Sequence, residues 1–396
     1  MIIDKYLESY SENERWPAAV PEGCWSVALV IPVCDEIFDD VCRVTEAIHT
    51  DAVLEVWVLN HPEGASTSVQ QANQVLVSTL ALRAGQGARL SDAATLFRLN
   101  GRSILLLNCP NLPVREGVGL ARKIGADRVV QWWRLGIIRS PWIFMTDADA
   151  RLPADYFQRV NDAASGVSAC VYPFEHMPEG GPLQQQALRA YEKRIRDYEQ
   201  GLRLAGSPYA FVAIGSLIAC PVLTYVRVRG MPRRAAGEDF YLLNKAAKLG
   251  LVHPLGGAPV KLSGRVSRRV PFGTGQVLAE ALETQGRTPR LLGYPRALFD
   301  SLGVLLSSVQ AASAEPGASA EQGLKLCRAN LVASGLPEAW VDESLGFFRV
   351  EQAMGQWQKT ALSARRSAQF HEQFDALKTL QWVHWWRAKG DTLEHT

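Results

Sequence analysis

The sequence predicts an α/β fold: a mostly parallel sheet flanked by helices, followed by a C-terminal helical extension. Three observations predict it. Short, continuously apolar runs recur through the first part of the chain, as strands buried on both faces require. Helix-period segments separate these runs, and strand–helix alternation means parallel strands joined by crossover helices. After about residue 275 the strand-like runs stop and helical pattern continues to the end. The expected division is a lead-in over 1–25, an α/β domain over 26–275 and an α-helical region over 276–396.

The elements follow in order. Residues 1–24 read as a polar, partly helical lead-in, and 25–33 as a buried strand ended by Pro32. A helical pattern runs over 38–49. Residues 54–60 are a second strand opening into a turn-rich loop. Helical sequence is expected over 69–99, interrupted near Gly85 and Gly87. A third strand covers 104–107, and a helix rich in Arg and Ala covers 117–133. The apolar run 142–145 is a short strand that ends just before Asp147 and Asp149. A further strand is expected over 169–173, a long polar helix over 184–204, and an amphipathic helix from Gly237 to Leu249. Helices over 276–285, 295–310, 321–333, 337–354 and 363–387 complete the chain.

Composition excludes several classes. Hydrophobic content of 47% and charged content of 21% are ordinary for a globular protein. A net charge of +2 gives no electrostatic reason for a nucleic-acid partner. The seven cysteines are scattered and contain no Cys-x-x-Cys, which argues against a disulfide framework or zinc site and for a reducing compartment. The first residues lack a signal-peptide pattern, and no apolar run reaches membrane-spanning length. A soluble, cytoplasmic protein is expected.

In open α/β sheets ligands bind at the C-terminal ends of strands. The turn from Pro32 to Glu36, Asn60, and the Asp147/Asp149 pair all fall at such ends. A strand alternates sides, so Asp147 and Asp149 are expected to point the same way. Their carboxylates repel unless a cation sits between them. A hard divalent ion that also holds phosphate oxygens, Mg2+ or Mn2+, suits such ligands. An acidic surface turn after a strand has the same pattern.

Five motifs stand in a fixed order: residues 30–36, Asn60, the Gly-x-x-x-Ala-Arg-Lys-x-Gly of 117–125, the Thr-Asp-Ala-Asp of 146–149, and the Gly-Glu-Asp-Phe of 237–240. Over about residues 26–275 this order resembles glycosyltransferase family 2, with the Rossmann-like GT-A fold. The resemblance implies a nucleotide-diphosphate-sugar donor of UDP or GDP type, a divalent metal (Mn2+ or Mg2+), and inverting transfer to an acceptor hydroxyl it does not name. It implies that Asp149 ligates the metal directly, and that Asp147 touches the ribose or reaches the metal through water. Pro32, Val33 and Glu36 match the turn that cradles base and ribose. Asn60 stands where the family usually has an Asp reading the base. Arg122 matches an Arg that supports the nucleotide, with Lys123 beside it. The small residues 213–216 resemble the segment beneath the donor sugar. Asp239 matches the general base, with Glu238 in support; inverting transfer needs one carboxylate to take the acceptor proton. By residue type alone, two acids in a first helical turn are also what the helix dipole favours. Arg122 and Lys123 read equally as a solvated helix face.

Residues 262–275 are the second unusual stretch. Arg265, Arg268 and Arg269 lie among serines and a Gly-Thr-Gly. Guanidinium forks bind phosphate oxygens bidentately, and the glycine turn exposes backbone donors. The stretch reads as a loop over the donor pyrophosphate, a clamp on an anionic acceptor, or a basic surface turn. His253, upstream, reads as a third metal ligand or as a structural histidine. Trp382, Trp385 and Trp386 share one helix face, which serves core packing, an oligomer contact or a peripheral membrane contact. Two other functions share these features. A nucleotidyltransferase would want a Gly-rich first-strand loop bearing Arg or Lys, which 32–36 is not. A glycosyltransferase-like binding or scaffold protein would have lost turnover.

Overall fold

The computed structural model describes residues 2–49, 52–163, 165–267, 273–314, 319–359 and 363–393. The chain forms two compact units, one of residues 1–189 with 213–288, the other of 190–212 with 289–396. The strands are β1 (Val27–Val33), β2 (Val53–Pro62), β3 (Ala88–Arg89), β4 (Ala94–Leu99), β5 (Arg102–Leu112), β6 (Trp142–Met145), β7 (Val167–Val171), β8 (Phe174–His176), β9 (Ile218–Pro221), β10 (Leu251–Pro254) and β11 (Val260–Leu262). The first helices are α1 (Ile2–Ser9), α2 (Phe38–Arg43), α3 (Thr67–Ala84), α4 (Gly117–Arg134), α5 (Pro182–Leu204), α6 (Val222–Arg227), α7 (Glu238–Ala246) and α8 (Thr274–Glu283).

Among the described residues, one sheet of the first unit runs β10-β7-β9-β6-β1-β2-β5-β4-β3, and β11 pairs with β8 apart from it. Its centre, β6-β1-β2-β5, is parallel. β9 runs antiparallel between β6 and β7, and β4 and β3 form an antiparallel edge. β1 and β2 are buried along almost their whole lengths, which is why they read as unbroken apolar runs. The exception, Glu55, accepts hydrogen bonds from Thr45 (2.6 Å), Trp57 Nε1 (2.9 Å) and Arg102 Nε (2.8 Å), so its buried charge is satisfied.

Helices cover both faces, as the sequence predicts. Trp57 and Val58 are consecutive on β2 and face opposite sides. Phe38 of α2 meets Trp57 edge-on, with ring centroids 6.1 Å apart. α4 lies on the Val58 side. A Cβ on Gly125 would fall 2.5 Å from Val30 Cγ1 and 3.0 Å from Val58 Cγ2, so only glycine lets this helix sit so close to the sheet.

Pro32 lies within central β1, opposite Val58, instead of ending the strand. A parallel strand presents alternate residues to each neighbour. Val30 bonds toward β6 through Thr146 N (3.1 Å), and β6 pairs with β1 no further than Val30. The missing N–H of Pro32 therefore points where no partner strand remains. Residues 88–99 differ more: they form β3 and β4, not helix. Asn100 and Gly101, at φ 49° and 80°, make the tight turn that folds β4 back on β5, the usual chemistry of a short hairpin. α2 also stops at Arg43, short of the expected 49. The lead-in is integral to the first unit, because Tyr6 of α1 is 2% exposed and donates to Asp127 on α4 at 2.5 Å.

The second unit is helical. Beside 190–212 it contains α9 (Arg296–Ala314), α10 (Ala320–Ala333), α11 (Glu338–Phe347), α12 (Val350–Gln358), α13 (Ser363–Gln373) and α14 (Ala376–Leu393). The helix expected over 337–354 breaks at Arg349, which takes φ 48°. Leu302, Leu305, Val341, Phe348 and Trp382 lie in its core, and Trp382 Nε1 donates to Ser344 Oγ at 3.1 Å. Trp386 is also buried and Trp385 half-buried, so the aromatic face packs largely inward. Among the described residues no helix is long and apolar enough to cross a membrane.

Candidate functional site

The site is organised around one buried cation. Arg122, on the first half of α4, is 3% exposed. Its Nε donates to Glu238 Oε1 at 2.9 Å, its Nη2 pairs with Asp147 Oδ1, and its Nη1 reaches the Thr146 carbonyl at 3.4 Å. Ser216 Oγ donates to the other Asp147 oxygen. A Cβ at Gly215 would lie 2.4 Å from Arg122 Nη2, so glycine in the 213–216 segment is what admits the guanidinium. Burial alone would lower the Arg122 pKa. The carboxylates of Asp147, Glu238 and Asp239 outweigh it and hold the pKa above its ordinary value.

Asp239 completes this cluster. Burial, followed by the neighbouring charge of Glu238, pushes its carboxyl up to about 7. The Phe240 N–H on Oδ1 (2.7 Å) and the charge of Arg122 oppose that rise. A carboxylate so poised exchanges a proton near neutral pH.

Arg265 forms the second cationic centre. Glu179 accepts from Ser263 Oγ (3.0 Å) and Gly264 N (3.2 Å), and Gln184 donates to the Gly264 carbonyl (2.8 Å), which fixes the backbone just before Arg265. The Arg265 fork meets Glu36 through Nη1–Oε2 (2.9 Å) and Nη2–Oε1 (2.5 Å), while Nη2 also stands 2.9 Å from Asp149 Oδ2. Arg268 and Arg269 lie outside the described residues.

The acids do not share a strand. β6 ends at Met145, and Asp147 and Asp149 occupy the following turn, where Ala150 N donates to the Asp147 carbonyl at 3.2 Å. Each acid meets its own guanidinium, Arg122 or Arg265, so the repulsion expected of the pair is relieved separately at each. Among the described residues no three His, Cys, Asp or Glu side chains gather as a metal-holding group. The donor chemistry still suits a hard divalent cation. Asp149 offers carboxylate oxygens that already hold a positive group, and Asp147 is committed through both oxygens to Arg122 and Ser216. His253 lies on β10 opposite Cys170, and β7 and β9 separate its strand from β6.

Asn60 is 8% exposed, and its Nδ2 donates to the carbonyls of Val33 (3.1 Å) and Val58 (3.0 Å). It therefore clamps the ends of β1 and β2. Asn73 of α3 continues the clamp, accepting from Asp35 N (2.9 Å) and donating to the Asn60 carbonyl (2.9 Å). A lone Asn within a helical pattern gives no signal of that role, and the sequence reading missed it. Pro32 and Val33 form the strand end that this clamp holds. Lys123 points away from the site, to Asp127 and Tyr6, both at 2.9 Å.

No family model and no curated protein matches this chain. Among solved structures it is similar to S. aureus TarS 1–349 in complex with UDP-GlcNAc, with 9% identity, 87% of this chain and 90% of that chain covered, and a TM-score of 0.41. S. aureus TarS 1–349 alone gives 10% identity, the same coverage and 0.38. S. aureus TarS gives 10%, 87% and 55% coverage, and 0.37. These scores are low, and the chemistry of the site rests on its own residues.

Proposed function

We propose that the first unit is a GT-A-like, family-2-like glycosyltransferase domain that moves a sugar, with inversion, from a UDP- or GDP-type donor to an acceptor hydroxyl. One observation carries this reading. The Arg122 guanidinium joins the acid at the tip of β6 to the acid pair that opens α7, 116 residues further on than Arg122 itself. The acid that follows β6 and the acid next to Asp239 are thus held on one buried charge, which sets Asp239 beside the donor side of the site.

In this reading Asp239 is the general base. The Phe240 N–H orients its Oδ1, and Oδ2 takes the acceptor hydroxyl proton as the anomeric carbon is attacked. Glu238 fixes Arg122, and Arg122 fixes Asp147 toward the ribose. The strand end of Pro32 and Val33, held by Asn60, receives the base. Mn2+ or Mg2+ at Asp149 would supply positive charge for the departing diphosphate. A reducing, cytoplasmic setting fits the seven free cysteines.

The test is nucleoside diphosphate release from a panel of UDP- and GDP-sugars with Mn2+. Release by the wild type that Asp239→Asn largely removes supports the reading. Absence of release from every donor, with no thermal shift by any of them, sinks it.

A further inference from the structure

We infer that Arg265 is a resident counter-ion of Asp149, and that a divalent cation and this guanidinium compete for one carboxylate. The inference rests on the reading that the metal binds at Asp149. Arg265 is forked onto Glu36 at 2.5 and 2.9 Å and touches Asp149 at 2.9 Å with the same Nη2. Glu36 is nearly buried and Arg265 about two-thirds so, which places both in a region where charge is weakly screened. The backbone on the approach to the fork is pinned by Glu179 and Gln184, so the guanidinium is held at Asp149 by construction.

A divalent ion arriving alone at Asp149 meets a second cation on the same carboxylate. It binds only against that repulsion or after displacing a forked ion pair. A nucleoside diphosphate changes the balance. Its phosphate oxygens accept a guanidinium bidentately, so Nη2 can leave Asp149 for phosphate while Glu36 keeps its hold on the fork. That removes this cation from Asp149 as the metal approaches. Metal and nucleotide therefore bind cooperatively, and each must raise the affinity of the other by the same factor. Arg265 makes the site selective for the metal–diphosphate pair over either component alone.

The test is Mn2+ binding, read from the electron paramagnetic resonance signal of free Mn2+, with and without UDP and then GDP. Arg265→Gln should bind Mn2+ alone about tenfold tighter than wild type, within the range usual for coupled sites. The nucleotide should enhance Mn2+ affinity less in this variant. Arg265→Lys keeps the charge and should stay near wild type. Adding Asp149→Asn to Arg265→Gln should remove the gain. Arg265→Met replaces Arg265→Gln if the latter does not fold by circular dichroism. Mn2+ affinity equal to or weaker than wild type in the folded neutral variant overturns the inference while leaving the metal reading intact. So does an Arg265→Lys gain as large as that of Arg265→Gln, or a gain that survives Asp149→Asn. If no variant binds Mn2+ even with UDP or GDP, the metal reading itself falls.

Discussion

Arg122 and Lys123 are consecutive on α4, both are buried, and both pair with acids, yet they serve different regions. Lys123 donates to Asp127 and Tyr6, and Asp127 also receives Tyr225 OH (3.0 Å) and Glu12 N (2.8 Å). Every side chain in that network is sealed; Asp127 is 0% exposed. Burial, with the Asp127 charge behind it, pushes the pKa values of Tyr6 and Tyr225 far above the usual phenol value, so both remain neutral donors. Around Arg122 the pattern opens: the Asp147 side chain is 37% exposed. A buried ion pair by itself is a structural device. It becomes a site where its acids reach the open end of a parallel sheet.

Substitutions in the two networks should move different observables, and the largest effect is expected at Asp239. Asp239→Asn should retain donor binding and lower transfer by about 10²–10⁴-fold, the usual worth of one general base. Glu238→Gln should lower it less. If Asp239→Asn melts early and still transfers at near wild-type rate, the acid belongs with the structural network.

Asp127→Ala should act on the Lys123 network instead. It leaves Lys123 buried and unpaired, and should cost about 3–5 kcal/mol of stability, while folded protein binds UDP and Mn2+ as wild type does. Calorimetric melting and a donor titration on the same variant separate the two effects. A normal melting temperature with lost transfer would place the Lys123 network in the chemistry.

Asp149→Ala should abolish the Mn2+-dependent part of UDP or GDP affinity with little loss of stability, because its Arg265 partner retains Glu36. Isothermal titration with and without Mn2+ reads this directly, and unchanged metal dependence would remove Asp149 from the donor side.

The smallest effect is in pH. The Asp239 carboxyl must be ionised to act, so transfer should rise with pH through about 7. Stability runs the other way. The folded pKa is above the ordinary 3.8, so this contribution is complete below 3.8 and is lost as pH rises through about 7. Melting curves across that window should show the loss in wild type and not in Asp239→Asn.

Much of the first unit was legible because its physics is local. β1, β2 and β6 are apolar runs whose ends carry Glu36, Asn60 and Asp147, and strand ends are where such sheets bind ligands. Residues 88–99 were misread because their helical composition outweighed the Asn100–Gly101 turn signal, which decides the pairing of β4 with β5. At the break, the left-handed position is taken by Arg349 itself, and Gly346 three residues earlier is a weak signal that helical periodicity on both sides outweighs.

The sequence by itself determined the order of strands and helices in the first unit's centre, the acids at the strand ends, and the acid pair that opens α7. Each of these is written in neighbouring residues through period, burial and propensity. Tertiary structure alone decided which charge meets which: Arg122 with Glu238, Arg265 with Glu36 at a separation of 229 residues, Tyr6 with Asp127 at 121, and Ser216 with Asp147. It also placed β9 antiparallel between β6 and β7 and left both β7 and β9 between the strand of His253 and β6. Such pairings depend on how distant segments pack. A guanidinium or a carboxylate has the same local pattern whether it ends in solvent, in a sealed network or in a site.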